Sequence, residues 1–411
     1  MMRRMTESAR ARWRTGIQVA LAVALAVAAT DFLRQTLPGR QWRSDFSHIH
    51  TAGQILRRGG DVYATHLREF NETAALGFRE ILPFETNPPL LVRALQPLAW
   101  FDVPTGFALY TVVQLLALAL TVAITISLVG RRLSAAAWTL ATGLFICSVP
   151  VFLHLWCAQV QLPLLALLMT GYWLWRRHHD RSACAVWTLA GALKFFPLVV
   201  AALPALCRRD RRTLVWWSGW LMVWLALPGP ALWKSHLTHG LPNLAAYSRP
   251  DLDNYSLPTF FTGLATVLHA PSALRPWASL TGYAAAGALV LWAWWQTTGL
   301  KRDDGREADR LLALLLTVAV LASPIAWTHY FVFLFFPLVL LPDEMGAYIR
   351  SLPWVLTLSL GASYFISISF TPLLAYGFFR IGRKLRPGRH ARKEEERRNA
   401  GDRPVSRSAR A

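Results

Sequence analysis

The chain has 411 residues, of which 54% are hydrophobic and 16% charged, against roughly 25% charged in soluble domains. With 19 tryptophans and long unbroken apolar runs, this composition excludes a soluble globular enzyme, a disordered scaffold and a disulfide-framed secreted domain. A bilayer is the solvent that takes so many continuous apolar segments. The formal net charge of +20 would suit nucleic acid, but its distribution points to lipid headgroups instead. Residues 1–14 carry five Arg against one Glu, and residues 380–411 carry twelve Lys and Arg against four acids. Short loops add Arg131-Arg132, Arg176-Arg177 and Arg208-Arg209. This is the positive-inside bias of cytoplasmic segments, with anionic lipid as the partner.

Residues 1–14 read as a basic cytoplasmic N-terminus and Thr15–Leu33 as the first span, since a crossing needs about 20 residues at 1.5 Å each. No cleavage site precedes Asp31, so this run reads as a retained anchor. Residues 34–104 hold eight Arg and seven acids and read as a first extracytoplasmic loop. Ser44-Asp45-Phe46 opens it, and the helical spacing of apolar positions over 46–56 predicts a short surface helix. Asp45 would stand at its start, where an Asp is also the ordinary choice for an N-cap. Asn87-Pro-Pro-Leu90 predicts a second surface element with Pro in its first turn.

Further spans are predicted at Thr105–Gly130, Leu133–Leu153, Val160–Trp175, Leu214–Leu232, Trp277–Thr298, Leu311–Trp327 and Phe331–Leu341. Ser351–Phe379 is long enough to bend back on itself. Ser182–Leu206 breaks the alternation, because Arg-rich loops flank it on both sides; if both loops are cytoplasmic, it must enter and return. Its centre, Gly191-Ala-Leu-Lys194-Phe-Phe-Pro197, supplies a charge and a breaker at the turn, and broken backbone at membrane depth is tolerated only where it lines a cavity. The fold class is an all-α polytopic membrane protein of about 10–11 transmembrane or re-entrant helices. The integral domain covers 15–379, and 380–411 form a basic, disordered cytoplasmic tail. The four cysteines have no metal-ligand spacing and read as small buried hydrophobes.

Three places carry chemistry. A lysine at the bilayer centre costs about 2.5–3.5 kcal/mol, so Lys194 either meets an anionic group such as a lipid phosphate or snorkels to a structural carboxylate. Ser323-Pro324-Ile-Ala-Trp327-Thr-His329-Tyr330 puts His329 at the outer aqueous boundary, where a single His is usually structural. Asp251 and Asp253 form an Asp-x-Asp pair beside Asn254 that could hold a divalent metal. Such triplets arise by chance in many loops, and no metal or cofactor is assigned.

Taken in order, these pieces form a series. It runs from Asp45-Phe and Gly60-Asp-Val-Tyr63 through Asn87-Pro-Pro-Leu90, Pro97-Leu and Gln159-Val-Gln161 to Ala190-Gly-Ala-Leu-Lys194-Phe-Phe-Pro197. Asn254-Tyr-Ser256-Leu and Ser323-Pro-Ile-Ala-Trp327-Thr-His329-Tyr330 complete it. The series resembles glycosyltransferase family 87, the integral-membrane transferases with the C-type glycosyltransferase fold, over residues 40–342. This sequence has Asn87 where many relatives carry an aromatic.

The resemblance implies a sugar, mannose or arabinofuranose, carried on a polyprenyl phosphate and moved to a glycan or glycolipid acceptor outside the plasma membrane. It also implies an essential Asp in the first outer loop: Asp45 matches, and Asp31 is the close competitor. Asp45 would act as general base for an inverting displacement. Lys194, His329 and, more weakly, Arg93 would steady the departing phosphate, with Asn87, Tyr63 and Asn254 as further substrate contacts. A monophosphate leaving group makes a metal less necessary than a nucleotide diphosphate does. Two other classes stay open. Lys194 in a broken segment suits a lipid or sugar flippase, although no internal repeat of the kind transporters show is present. An O-antigen polymerase, a ligase or a protein glycosyltransferase shares the outer-face logic but should carry a larger periplasmic loop.

Overall fold

Proline and left-handed backbone cut the apolar runs into shorter pieces than hydropathy alone predicts. The computed structural model describes residues 45–64, 85–129, 148–203, 211–243, 256–297, 305–323 and 328–337, with positions 138, 142, 143, 145, 146, 254, 326 and 339. All lie in the unit Met1–Asp343. The predicted spans Thr15–Leu33 and Ser351–Phe379, ten of the 21 residues of Leu133–Leu153 and the two basic ends lie outside the described residues.

The described residues are helical throughout, without strands. In chain order they form α1 (Asp45–Arg57), α2 (Pro89–Leu95) with a 3-10 turn (Gln96–Trp100), α3 (Val103–Val129), α4 (Val149–Cys157), α5 (Gln161–Arg176), α6 (Asp180–Leu193) and α7 (Leu198–Ala201). There follow α8 (Arg211–Ala226), α9 (Pro230–Ser235) running into a π turn (His236–Gly240), α10 (Leu257–Val267), α11 (Arg275–Gln296), α12 (Gly305–Ala322) and a 3-10 segment (Thr328–Leu334).

Both predicted surface helices form. In α1 the apolar side chains of Phe46, Ile49, Ala52 and Ile55 are buried, as their helical spacing requires. Phe46 is wholly buried, edge-on to Phe107 at 5.5 Å and stacked on Tyr110 at 5.7 Å. Burial of one such ring stabilises the docking of α1 by about 1.5–3 kcal/mol. Gly106 makes room for it, since a Cβ there would stand 3.1 Å from Phe46 Cζ and 2.9 Å from the Leu98 carbonyl. His50 contacts the Phe101 carbonyl at 3.0 Å, and Arg57 donates to the Ala99 carbonyl at 3.3 Å.

The core centres on α5, which packs against α3, α6 and the 3-10 segment. Trp175, Trp187 and Tyr172 are fully buried there. The indole of Trp187 lies over Gly171, where a Cβ would stand 2.5 Å from the ring, and donates to the Leu168 carbonyl at 2.9 Å. Other faces are apolar and uncovered: Val112, Leu116 and Leu120 on α3, Met222 on α8, and Leu291 and Trp295 on α11 are all exposed.

Several boundaries differ from the sequence reading, each for a local reason. Val103–Leu128 is, among the described residues, the one helix long and apolar enough to cross a membrane by itself, while α4 and α5 together reach that length with a 116° bend. The bend falls at Ala158, whose φ of 51° is left-handed. The predicted run Leu214–Leu232 stops at Ala226, and a new helix begins at Pro230, because proline breaks the hydrogen-bond ladder and suits a first turn. Phe331–Leu341 begins as 3-10 rather than α-helix. Helix α12 starts six residues before the predicted Leu311 and includes Asp309.

That last extension explains itself. Asp309 is buried and meets Arg176 of α5 at 3.0 Å, while Tyr172 donates to the same carboxylate at 2.5 Å. Arg176 also donates to the Gly305 carbonyl at 3.0 Å. Removing one partner of a buried ion pair strands the other charge, at a cost of about 3–5 kcal/mol. Arg176→Met and Asp309→Leu should each lower the thermal midpoint in detergent, and the double variant should lose less than their sum. Strictly additive losses would mean that the pair carries no coupling.

Candidate active site

Asp45 is the first residue of α1, and its Oδ2 accepts a hydrogen bond from the side chain of Gln159. Gln159 sits in the break between α4 and α5, directly after the left-handed Ala158. Its own carbonyl accepts from the Tyr110 hydroxyl at 2.9 Å. Tyr110 stacks on Phe46, the neighbour of Asp45. The carboxylate is thus held at a corner built from α1, α3 and the α4–α5 break.

The electrostatics around Asp45 are mixed. Surrounding protein raises its pKa to about 6, interaction with His48 and Lys194 opposes that rise, and the Glu85 carboxylate adds to it. Asp45 remains exposed, so water reaches the group and moderates the effect of burial.

Glu85 is buried yet fully engaged. Its Oε1 accepts from the backbone N–H groups of Thr86 and Asn87 at 2.8 and 2.9 Å and from the Asn87 amide at 2.9 Å. His48 approaches its Oε2 at 3.5 Å. Several donors on one carboxylate are what a buried anion needs.

Lys194 stands where α6 breaks. Its backbone is extended, with φ −153° and ψ 133°, and α7 restarts after Pro197. The predicted interruption is therefore present. Nζ lies 5.3 Å from the Tyr330 ring centroid, a cation–π distance that fixes the ammonium. His329 is buried against Tyr330, with ring centroids 5.1 Å apart, and lies within electrostatic reach of Lys194 and of His154 in α4. Lys194 thus lies within electrostatic range of Asp45, His154 and His329.

The remaining predicted residues have other positions. Asn87 holds Glu85 rather than open space, and Tyr63 is fully buried with its hydroxyl donating to the Asn87 carbonyl at 2.7 Å. Burial, with Glu85 and Asp61 adding to it, raises the Tyr63 pKa far above its ordinary value, so the phenol stays protonated. Arg93 is exposed, donating to Gln96 at 3.0 Å and to the Pro228 carbonyl at 3.5 Å. Asn254 accepts from the backbone of Ser256 at 3.2 Å and of Ala326 at 2.9 Å, tying its loop to the segment before His329. Asp31, Asp251 and Asp253 lie outside the described residues.

Sequence reasoning gave no role to Gln159, His48, Glu85 or His154. The available signal was Gln159-Val-Gln161, two amides opening an otherwise apolar helix. Nothing in the spacing marked Glu85, whose importance comes from a fold that brings residues 45, 63 and 87 around it.

A family model described as glycosyltransferase family 87 matches residues 86–324. That match takes in α2 through α12 and Lys194, and ends short of Asp45 on one side and His329 on the other. No curated protein and no solved structure matches the chain.

Gln159 and Lys194 both favour the ionised form of Asp45. Gln159→Leu and Lys194→Met should each raise the titration midpoint of the carboxyl from about 6, by about 1 pH unit. Isotope-edited infrared spectroscopy of the Asp45 carboxylate measures this directly. An unchanged midpoint in both variants would remove the contacts drawn here.

Proposed function

The chain belongs to glycosyltransferase family 87 and is an enzyme that transfers sugar, and we propose that it takes that sugar from a polyprenyl monophosphate at the outer face of a membrane it crosses several times. The acceptor is a glycan or glycolipid, and mannose or arabinofuranose is the sugar. The observation that carries this reading is the placement of Asp45. It is an accessible carboxylate, held by Gln159, with the Lys194 ammonium in electrostatic range.

The apolar faces of α3, α8 and α11 support the membrane setting. A soluble monomer rarely leaves contiguous apolar patches of more than a few hundred Å² in water, and residues such as Leu116, Met222 and Trp295 are each more than 60% exposed. Such faces suit lipid. The plasma or inner membrane then supplies a donor whose prenyl chain stays in the bilayer while its sugar meets the surface helices α1 and α2.

In the reaction, the Asp45 carboxylate takes the proton of an acceptor hydroxyl as its oxygen attacks the anomeric carbon. The bond from that carbon to the phosphate oxygen breaks, the polyprenyl phosphate leaves with the electron pair, and the configuration inverts. The Lys194 ammonium and the His329 ring lie together and would meet the charge that develops on the phosphate. A base is effective when its pKa lies near the working pH. A carboxyl raised to about 6 is ionised at neutral pH and more basic than an ordinary aspartate.

Two outcomes follow for protein reconstituted in liposomes with a panel of polyprenyl-phosphate sugars. Asp45→Asn should insert normally and lose transfer by about 10²–10⁴; full activity would assign the base elsewhere. For the unaltered chain kcat/KM should rise with pH through about 6 and level above it, since only the ionised carboxylate accepts the proton. A rate flat from pH 5 to 8 would contradict a base with that pKa.

A further inference from the structure

Beside Lys194 is a group of aromatic side chains that the reaction above does not use. Phe195 follows the broken end of α6 and is 42% exposed. Its ring lies 6.3 Å from Trp233 of α9, tilted by 31°, and 6.5 Å from His236. Trp233 meets His236 edge-on at 5.8 Å, and the Tyr63 ring lies 4.8 Å from that imidazole. His236 is buried, and neither ring nitrogen has a hydrogen-bond partner among the described residues.

Resting on the transferase reading, we propose that Phe195, Trp233 and His236 form the subsite for the acceptor's sugar ring, separate from the donor phosphate at Lys194. A pyranose has an apolar face of C–H groups and a rim of hydroxyls. The exposed Phe195 ring with the adjoining indole matches the first. A neutral imidazole, with one donor and one acceptor, matches a hydroxyl, which likewise donates and accepts. Burial lowers the His236 pKa to about 4, with Glu85 opposing the shift, so the ring is neutral at working pH. An anion would instead need donors alone, which Lys194 supplies. Two residues join the subsite to the carboxylate: Lys194 precedes Phe195 in the chain and acts on Asp45, and Glu85 acts on both Asp45 and His236.

The alternative role for an exposed ring in this setting is contact with lipid, where any apolar side chain serves. Saturation-transfer-difference NMR on the full chain in nanodiscs, with octyl α-mannopyranoside as the probe, separates the two. Ring protons of the probe should be saturated by the unaltered protein, retained in Phe195→Tyr, and reduced about fivefold in Phe195→Leu and Trp233→Leu, as loss of an aromatic face implies. Unsaturated ring protons in the unaltered protein, full saturation in Phe195→Leu, or a loss confined to the octyl chain would each overturn the subsite. The readout is binding. A chain that saturates the ring but transfers no sugar would refute the transferase reading and leave the subsite standing.

Discussion

A hydrogen bond between residues 114 positions apart organises this protein: Gln159 to Asp45. It joins the first surface helix to a break inside an apolar helix pair, and each side is built to receive the other. On one side Phe46 anchors α1 among Phe107 and Tyr110. On the other, Ala158 adopts a left-handed conformation, which costs a residue with a Cβ about 1–2 kcal/mol, and is completely buried. Packing must hold it there. The result turns the chain by 116° and leaves Gln159 outside either helix, free to point its amide at the carboxylate. Tyr110 then ties both sides together through the Gln159 carbonyl.

The charge arrangement follows from this geometry. Crowding by protein favours the protonated acid, while His48 and Lys194 favour the anion, and the balance lies near neutrality. Glu85 would be a strong competing anion if it were free. It is occupied by two backbone N–H groups, the Asn87 amide and His48, so its charge acts on Asp45 while its oxygens hold the loop. The two carboxylates thus differ: Glu85 is buried and holds its loop, while Asp45 remains exposed. The second break, at Lys194, serves the same corner: it frees a cation from its helix and fixes it over Tyr330.

Much of this was legible in the sequence, and the remainder failed for physical reasons. The 3.6-residue spacing of Phe46, Ile49 and Ile55 was enough to define α1, and Pro197 to interrupt α6. Asp45 was singled out only by the family resemblance, since by spacing alone an Asp at the start of a helix is an ordinary N-cap. A break before Val160 was legible, but not its sharp bend, because Ala158 carries no mark of a left-handed conformation that glycine or asparagine would have announced. Hydropathy also placed Asp309 outside its helix, since a window sees the charge and not the Arg176 that neutralises it. Tyr63 and Asn87 belonged to the right neighbourhood, but their polar atoms face each other and Glu85. Which polar group meets which depends on tertiary pairing, to which spacing along the chain is blind.

The Arg176–Asp309 clasp has a consequence for how the chain is made. Its two charges are 133 residues apart, so a ribosome working at about 5–20 residues per second delivers the arginine roughly 7–27 seconds before its counterion. During that interval the guanidinium of Arg176 lacks the carboxylate it meets in the folded chain. The clasp between α5 and α12 therefore cannot close until residue 309 has been made.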